Sequence, residues 1–350
     1  MDNKMQTIKR ILCPTDLSPE SDDALRYAVA LTSAYDAKLF LLYCGKGKSD
    51  GNENGKAAGV AASAVFTESL AANLGLNALC DLDWQGLVAE NADDVGKGIV
   101  DEAANQKIDL IVMRSRRRPH AAMLLGSTAE TVCRTATCPV LVTHPREREW
   151  VGFSTGEIDP QRILVAYDFS SDSEVALKYA LSFAQEYQTE LHLLHVLTKA
   201  DQGEPEFAWL QKTENAYTKA AGKLQRTIPS EAFLWCQIRT EVRWGKVYQE
   251  VLAYAKEHQI DLICLGANGS DFSVRALFGS NVDRILRQAP CPVLIARPIK
   301  HADLPANASR EIKLPINCKA ETHDHTKIPL RSEPTKGGRP YFVHDGAQRA

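Results

Sequence analysis

The sequence predicts an α/β protein of two tandem domains, each a doubly wound five-stranded parallel sheet, related by a pseudo-twofold axis. Length is the first observation: 350 residues suffice for two domains with full cores. The second is an internal repeat. "RILCPTDLSPESDDALRYA" (10–28) returns as "RILVAYDFSSDSEVALKYA" (162–180), and "IDLIVM" (108–113) as "IDLICL" (260–265), both shifted by 152 positions. "LLGSTAETVCRTATCPVLV" (124–142) returns as "LFGSNVDRILRQAPCPVLI" (277–295) with a shift of 153, so the first copy lacks one residue between "IDL" and "GS". The third is the alternation, within each copy, of short apolar runs with stretches of helical period, the mark of a parallel sheet covered by helices.

In the second copy the apolar runs predict strands near 162–167, 190–197, 234–242, 261–265 and 292–297. Helices are expected near 171–187, 205–226, 246–258 and 280–289. Val, Ile and Leu fill "RILVAY", "LHLLHV" and "LICLG" without strict alternation, as in strands buried on both faces. The expected domains are 1–143 and 162–298, with a charged, Gly- and Pro-containing linker at 144–161. Residues 299–350 are polar and Pro-rich and read as a tail without a core of its own, dispensable for folding. The closing runs "CPVLVT" and "CPVLIA" read as apolar edge strands, which invite antiparallel pairing of the two domains within the chain.

Composition narrows the function. A net charge of -3 provides no general basic field, so no nucleic-acid partner is expected. The start "MDNKMQTIKRILCP" lacks the apolar core of a secretory signal, and no apolar stretch approaches the roughly 18 residues of a membrane span. A soluble, cytoplasmic protein without a membrane partner is expected. Nine cysteines, with no C-x-x-C pair, argue against a disulfide framework and against a zinc site.

The chemistry gathers in "LGANGSDFSVRALFGS" (265–280), where Gly266, Gly269, Gly279 and Ser280 stand at fixed intervals after an apolar run. In an open α/β sheet, ligands sit beyond the carboxyl ends of the strands, where strand order reverses. Glycines let backbone N–H groups approach an anion closely. Ser280 opens a helix, with Asp283 three positions on as a capping-box partner; Ser127 and Glu130 repeat the pair in the first copy. A helix start offers free N–H groups and a positive dipole end, so phosphate is a natural guest. The first strand of each copy ends in an aspartate, Asp16 or Asp168, suited to a ribose hydroxyl or an adenine amino group. Together these describe a nucleotide site. The bland alternative is that the glycines only shape a tight loop and Ser280 only caps a helix. In the first copy Arg114 and Arg117 replace the first two glycines, and the missing residue shifts the loop.

On these residues the chain resembles the universal stress protein family, over roughly 8–143 and 160–297. The ATP-binding subgroup of that family carries G-x2-G-x9-G-[ST] after the fourth strand, and Gly266, Gly269, Gly279 and Ser280 fit it at every position. The resemblance implies an adenine nucleotide alpha hydrolase-like fold and a role as stress-response sensor or effector. It also implies ATP, with or without Mg2+, held at its phosphates by these four residues, with Asp168 at the adenosine end and Val196 lining the base. It points to the fifth strand as the pairing edge, within one chain or in a homodimer. A slow ATPase using the same pocket and a nucleotide-independent adaptor are the alternatives. No activated nucleophile or general base stands beside the loop, so no catalytic residue is assigned.

Other signals carry less. "DGNENGK" (50–56) satisfies neither a Walker loop nor a calcium loop, whose twelfth position would be Ala61. Arg114, Arg116, Arg117 and Arg118 read as a solvated loop before an anion site. Cys318, His323, His325 and His344 match no standard zinc spacing. His192 and His195 read as packed strand histidines, with a ligand contact for His195 as the alternative.

Overall fold

The computed structural model describes residues 8–16, 18, 21–44, 82–88, 94–115, 126–144, 148–152, 157–198, 206–267, 279–299 and 310–312. The first repeat contains β1 (Arg10–Thr15), α1 (Asp22–Tyr35), β2 (Lys38–Tyr43), β3 (Trp84–Val88), α2 (Val95–Asn105), β4 (Leu110–Arg114), α3 (Ser127–Thr135) and β5 (Val140–Thr143). The second contains β6 (Arg162–Ala166), α4 (Ser171–Tyr187), β7 (Glu190–Leu197), α5 (Glu206–Thr227), β8 (Ile238–Trp244), α6 (Val247–Glu257), β9 (Leu262–Gly266), α7 (Ser280–Gln288) and β10 (Val293–Ala296).

Each repeat is a parallel sheet in the order third, second, first, fourth, fifth strand. Order reverses between the first and fourth strands, β1/β4 and β6/β9, the point at which open sheets of this kind leave a crevice beyond the strand ends. β5 and β10 pair antiparallel, with Leu141 opposite Leu294, so the two five-stranded sheets join into one. Both joining strands are buried along their whole length. An exposed edge of that composition would be an aggregation site; pairing the two edges removes it.

Side chains alternate between two cores. Ile163 and Val165 share one core with Leu31 of α1 and with Ala176 and Ala180 of α4, while Leu164 shares the other with Val251 of α6 and Ile285 of α7. The repeated "IDL" has a structural role: Asp109 Oδ2 accepts the backbone N–H groups of Lys9 and Arg10 at 2.9 Å each, and Asp261 Oδ2 those of Gln161 and Arg162 at 2.9 Å each. Each aspartate ties the entry of a first strand to the entry of a fourth. No described helix is long and apolar enough to cross a membrane.

One expectation needs correction, and two gain detail. The third strand of the second repeat starts at Ile238, not near 234, because Ser230–Leu234 forms a 3-10 turn that leaves Leu234 85% exposed. The linker is not merely polar: Trp150 and Val151 are each 3% exposed, and Val151 bridges to Ile158. The tail contributes β11 (Arg310–Ile312), which pairs antiparallel with β3, Glu311 opposite Leu87. Three residues carry no periodicity that a sequence reading could detect.

Candidate functional site

After β6 the chain turns at Asp168, Phe169 and Ser170 before entering α4. Phe169 takes the left-handed conformation, φ 65°, which is costly for a bulky residue and needs support. Its ring meets Tyr167 edge-on at 5.3 Å and His195 at 4.6 Å, and the Lys223 ammonium lies 3.9 Å above it. His195 Nδ1 is 2.7 Å from the Tyr167 carbonyl oxygen. His195 is therefore a packed strand histidine that braces this turn. Burial, reinforced by the negative charges of Glu174 and Asp168, raises the Tyr167 phenol above its usual range and keeps it neutral.

Asp168 Oδ1 accepts the Ser170 N–H at 3.0 Å and its hydroxyl at 2.5 Å. Ser170 Oγ in turn accepts the Ser173 N–H at 3.2 Å, so Ser170 is the N-cap of α4. Asp168 is half-buried at the crevice between β6 and β9. Val196, near the end of β7, packs against the core that α6 and α7 cover.

Gly266 closes β9. A Cβ there would stand 2.7 Å from the Asp172 carbonyl carbon and 2.8 Å from the Ser173 nitrogen, both backbone atoms in the first turn of α4. The strand end and the helix start thus touch main chain to main chain, which only glycine allows. Gly269 lies outside the described residues.

Gly279 is the N-cap of α7 and Ser280 its first helical residue, with no side-chain hydrogen bond to the helix start. The expected capping box does not form, because Asp283 instead receives Arg287 through both carboxylate oxygens, at 2.8 and 2.6 Å. In the first repeat Glu130 likewise turns to Arg134 at 3.0 Å, and Gly126 leaves α3 without a side-chain cap. Gly279 has an ordinary φ of -62°, and a Cβ there would meet only Val282 Cγ2, at 3.6 Å. Among the described residues nothing requires a glycine at that position. The uncapped N–H groups and the open approach to them fit an anionic group such as a phosphate.

The first repeat differs where Gly266 has its counterpart. Arg114 ends β4, is 12% exposed, and its guanidinium forms an ion pair with Asp23 in the first turn of α1. Asp16 is exposed; it keeps the local turn, accepting the Ser18 N–H at 3.2 Å and its hydroxyl at 2.5 Å, but no side chain caps α1. Arg117 lies outside the described residues. A groove of about 570 Å³, lined by Ala30, Ser33, Ala34, Glu157, Ile158, Asp159 and Tyr187, sits at the opposite, amino end of the sheet. The sequence reading missed Ser170 and Lys223; a serine two positions after an aspartate, recurring as Ser18 and Ser170, was the available signal for the first.

The chain matches the Universal stress protein family over residues 7–144 and again over 160–297. A universal stress protein of Mycolicibacterium smegmatis is 24% identical over 304 residues, covering 82% of this chain and 97% of its own length. One from Methanocaldococcus jannaschii is 28% identical over 144 residues, covering 41% of this chain and 85% of its own. Among solved structures, a universal stress protein from Archaeoglobus fulgidus shares the fold with a TM-score of 0.56 at 22% identity, covering 84% of this chain and 99% of its own. Two matched segments, joined edge to edge in one sheet, make this chain a tandem member of the universal stress protein family.

Proposed function

We propose that the protein is a cytoplasmic stress-response sensor or effector that binds one ATP per chain, in its second repeat. The observation that carries this reading is the pairing of an uncapped start of α7, behind Gly279, with a glycine, Gly266, at the end of β9; α3 starts alike behind Gly126, but there the strand ends in Arg114. The G-x2-G-x9-G-S spacing ending at Ser280 supports it. Gly266, Gly269, Gly279 and Ser280 would hold the phosphates, Asp168 the adenosine end, and Val196 the base. ATP, with or without Mg2+, supplies the negative charge that the helix start attracts. In the first repeat the arginine at the corresponding strand end is already paired with Asp23, which speaks against a second equivalent site.

Calorimetric titration of the intact protein with ATP should give one site per chain; two equivalent sites, or none, would overturn the reading. Asp168→Ala should weaken ATP binding by roughly 1–3 kcal/mol, the cost of leaving a buried hydrogen-bonding group of the ligand without its partner. Asp16→Ala removes an equivalent local turn and should leave ATP affinity unchanged, so equal losses would contradict the assignment to the second repeat.

A further inference from the structure

The geometry points to Gly266 as a positioning residue for Asp168, acting through Ser173 and Ser170; this rests on the nucleotide reading above and deepens it. The path is short and continuous. The space where a Cβ of residue 266 would lie is 2.8 Å from the Ser173 nitrogen. That nitrogen donates to Ser170 Oγ at 3.2 Å, and Ser170 donates its hydroxyl to Asp168 Oδ1 at 2.5 Å. A second strand holds the same turn, from the Ser173 hydroxyl to the Ser170 carbonyl oxygen at 2.9 Å. Two of the crowding atoms at Gly266 are backbone and the third is the Asp172 Cβ, which no side-chain rotation moves, so a side chain at 266 must displace the first turn of α4. Moving Ser173 breaks the cap and shifts Ser170 and Asp168 together as one turn, because the matching Asp16–Ser18 pair keeps its hydrogen bonds, at 3.2 and 2.5 Å, on a helix with no side-chain cap.

The first repeat shows the same turn with a side chain at that position. Arg114 stands where Gly266 stands, offset by 152 positions, and the helix there begins at Asp22, the counterpart of Glu174. α4 begins three residues earlier by that alignment, at Ser171. Among the described residues Ser18, the counterpart of Ser170, gives α1 no side-chain cap, and its carbonyl oxygen receives the Ser21 N–H at 2.8 Å as well as the Ser21 hydroxyl at 2.7 Å. A glycine at the strand end, an early helix start and a serine cap occur together in one repeat and are absent together in the other.

Positioning of Asp168 and direct contact with phosphate make opposite demands on ligand choice. If Gly266 acts through Asp168, Gly266→Ala should weaken adenosine and ATP by the same factor, roughly tenfold, leaving their affinity ratio unchanged. It should add little to Asp168→Ala. If Gly266 only admits phosphates, the alanine variant would weaken ATP alone and be additive with Asp168→Ala; either result overturns the inference. The measurement is titration of the full chain and its single and double variants with ATP and with adenosine, with a thermal melt of each. Should Gly266→Ala fail to fold, Ser170→Ala must show the same equal loss for both ligands, and normal adenosine binding by that variant overturns the inference. A wild-type chain that binds neither ligand removes the nucleotide reading itself and the inference with it, a result distinct from all of these.

Discussion

His192 is 1% exposed in the middle of β7, with Nδ1 2.8 Å from the Tyr254 hydroxyl and Nε2 3.6 Å from the Glu190 carboxylate. The rings of Tyr254 and His258 pack on it at 5.6 and 5.5 Å, and Arg239 pairs with Glu190. Burial pushes the His192 pKa down to about 4 from 6.5; Glu190 opposes this, while His258 and Arg239 reinforce it. Above the ordinary value the ring is neutral folded and unfolded, and it contributes no pH dependence. Below it the unfolded chain takes up a proton that the folded ring refuses, so stability falls as pH drops through that window. The loss is complete near the folded pKa. Burial raises the Glu190 pKa, but His192 and Arg239 outweigh it and hold the carboxylate below its usual range, so its protonation at the acid end acts in the same direction. Urea unfolding at about pH 7 and about pH 5 should show the decline, and His192→Gln should flatten it. A wild-type stability equal at both values would refute the assignment. The sequence showed His192 as a packed strand histidine; its partners on α6 come from tertiary packing that no local pattern encodes. Gly266 was legible as a glycine that matters, but the atoms it must clear belong to a helix start more than ninety positions away.

Helices of the second repeat were legible to within a residue, because each carries an apolar stripe over two turns or more and ends at a Gly, Pro or polar break. The short elements were not. Leu234 read as the start of a strand, yet it stands 85% exposed at the end of a 3-10 turn, where propensity gives way to the reversal the chain must make before β8. β11 is the other case: it covers the outer edge of β3 with three residues. Equivalent strands can therefore end up differently: in the second repeat, β8 is the outermost strand among the described residues. A chain ending at Arg297 loses β11 and bares the β3 edge. It should still fold, since both cores are intact, and melt a few degrees below the full chain, the shift that about 1 kcal/mol produces at this size. A chain ending at Ile316 retains β11 and should melt with the full-length protein. Equal melting of all three chains would show that the strand contributes nothing, and failure of the shortest to fold would show that it contributes far more than its three pairs.

Joining two repeats through β5 and β10 makes each repeat part of the other's core. Arg297, just past β10, donates through its guanidinium to the carbonyl oxygens of Cys133 and Ala136 at the end of α3, so a side chain of the second repeat caps a helix of the first. Trp150 packs edge-on against Tyr27 of α1 at 4.7 Å and against Phe183 of α4 at 6.2 Å, and a single apolar cluster contains all three. Its backbone N–H donates to the Tyr27 hydroxyl at 3.3 Å, and its neighbour Glu149 pairs with Arg26 at 3.0 Å. The segment expected to be a spacer is thus a wedge between two helices. Since neither repeat closes its core alone, heating should unfold both in one calorimetric transition. Trp150→Ala removes ring contacts to both repeats and should cost about 3–5 kcal/mol. Its indole N–H is buried without a hydrogen-bond partner among the described residues, so the ring rather than the polar atom carries the effect. Trp150→Phe should accordingly recover most of the loss. Two separate transitions in the wild-type chain would show that each repeat folds on its own core. An alanine variant as stable as wild type would show that the wedge joins nothing.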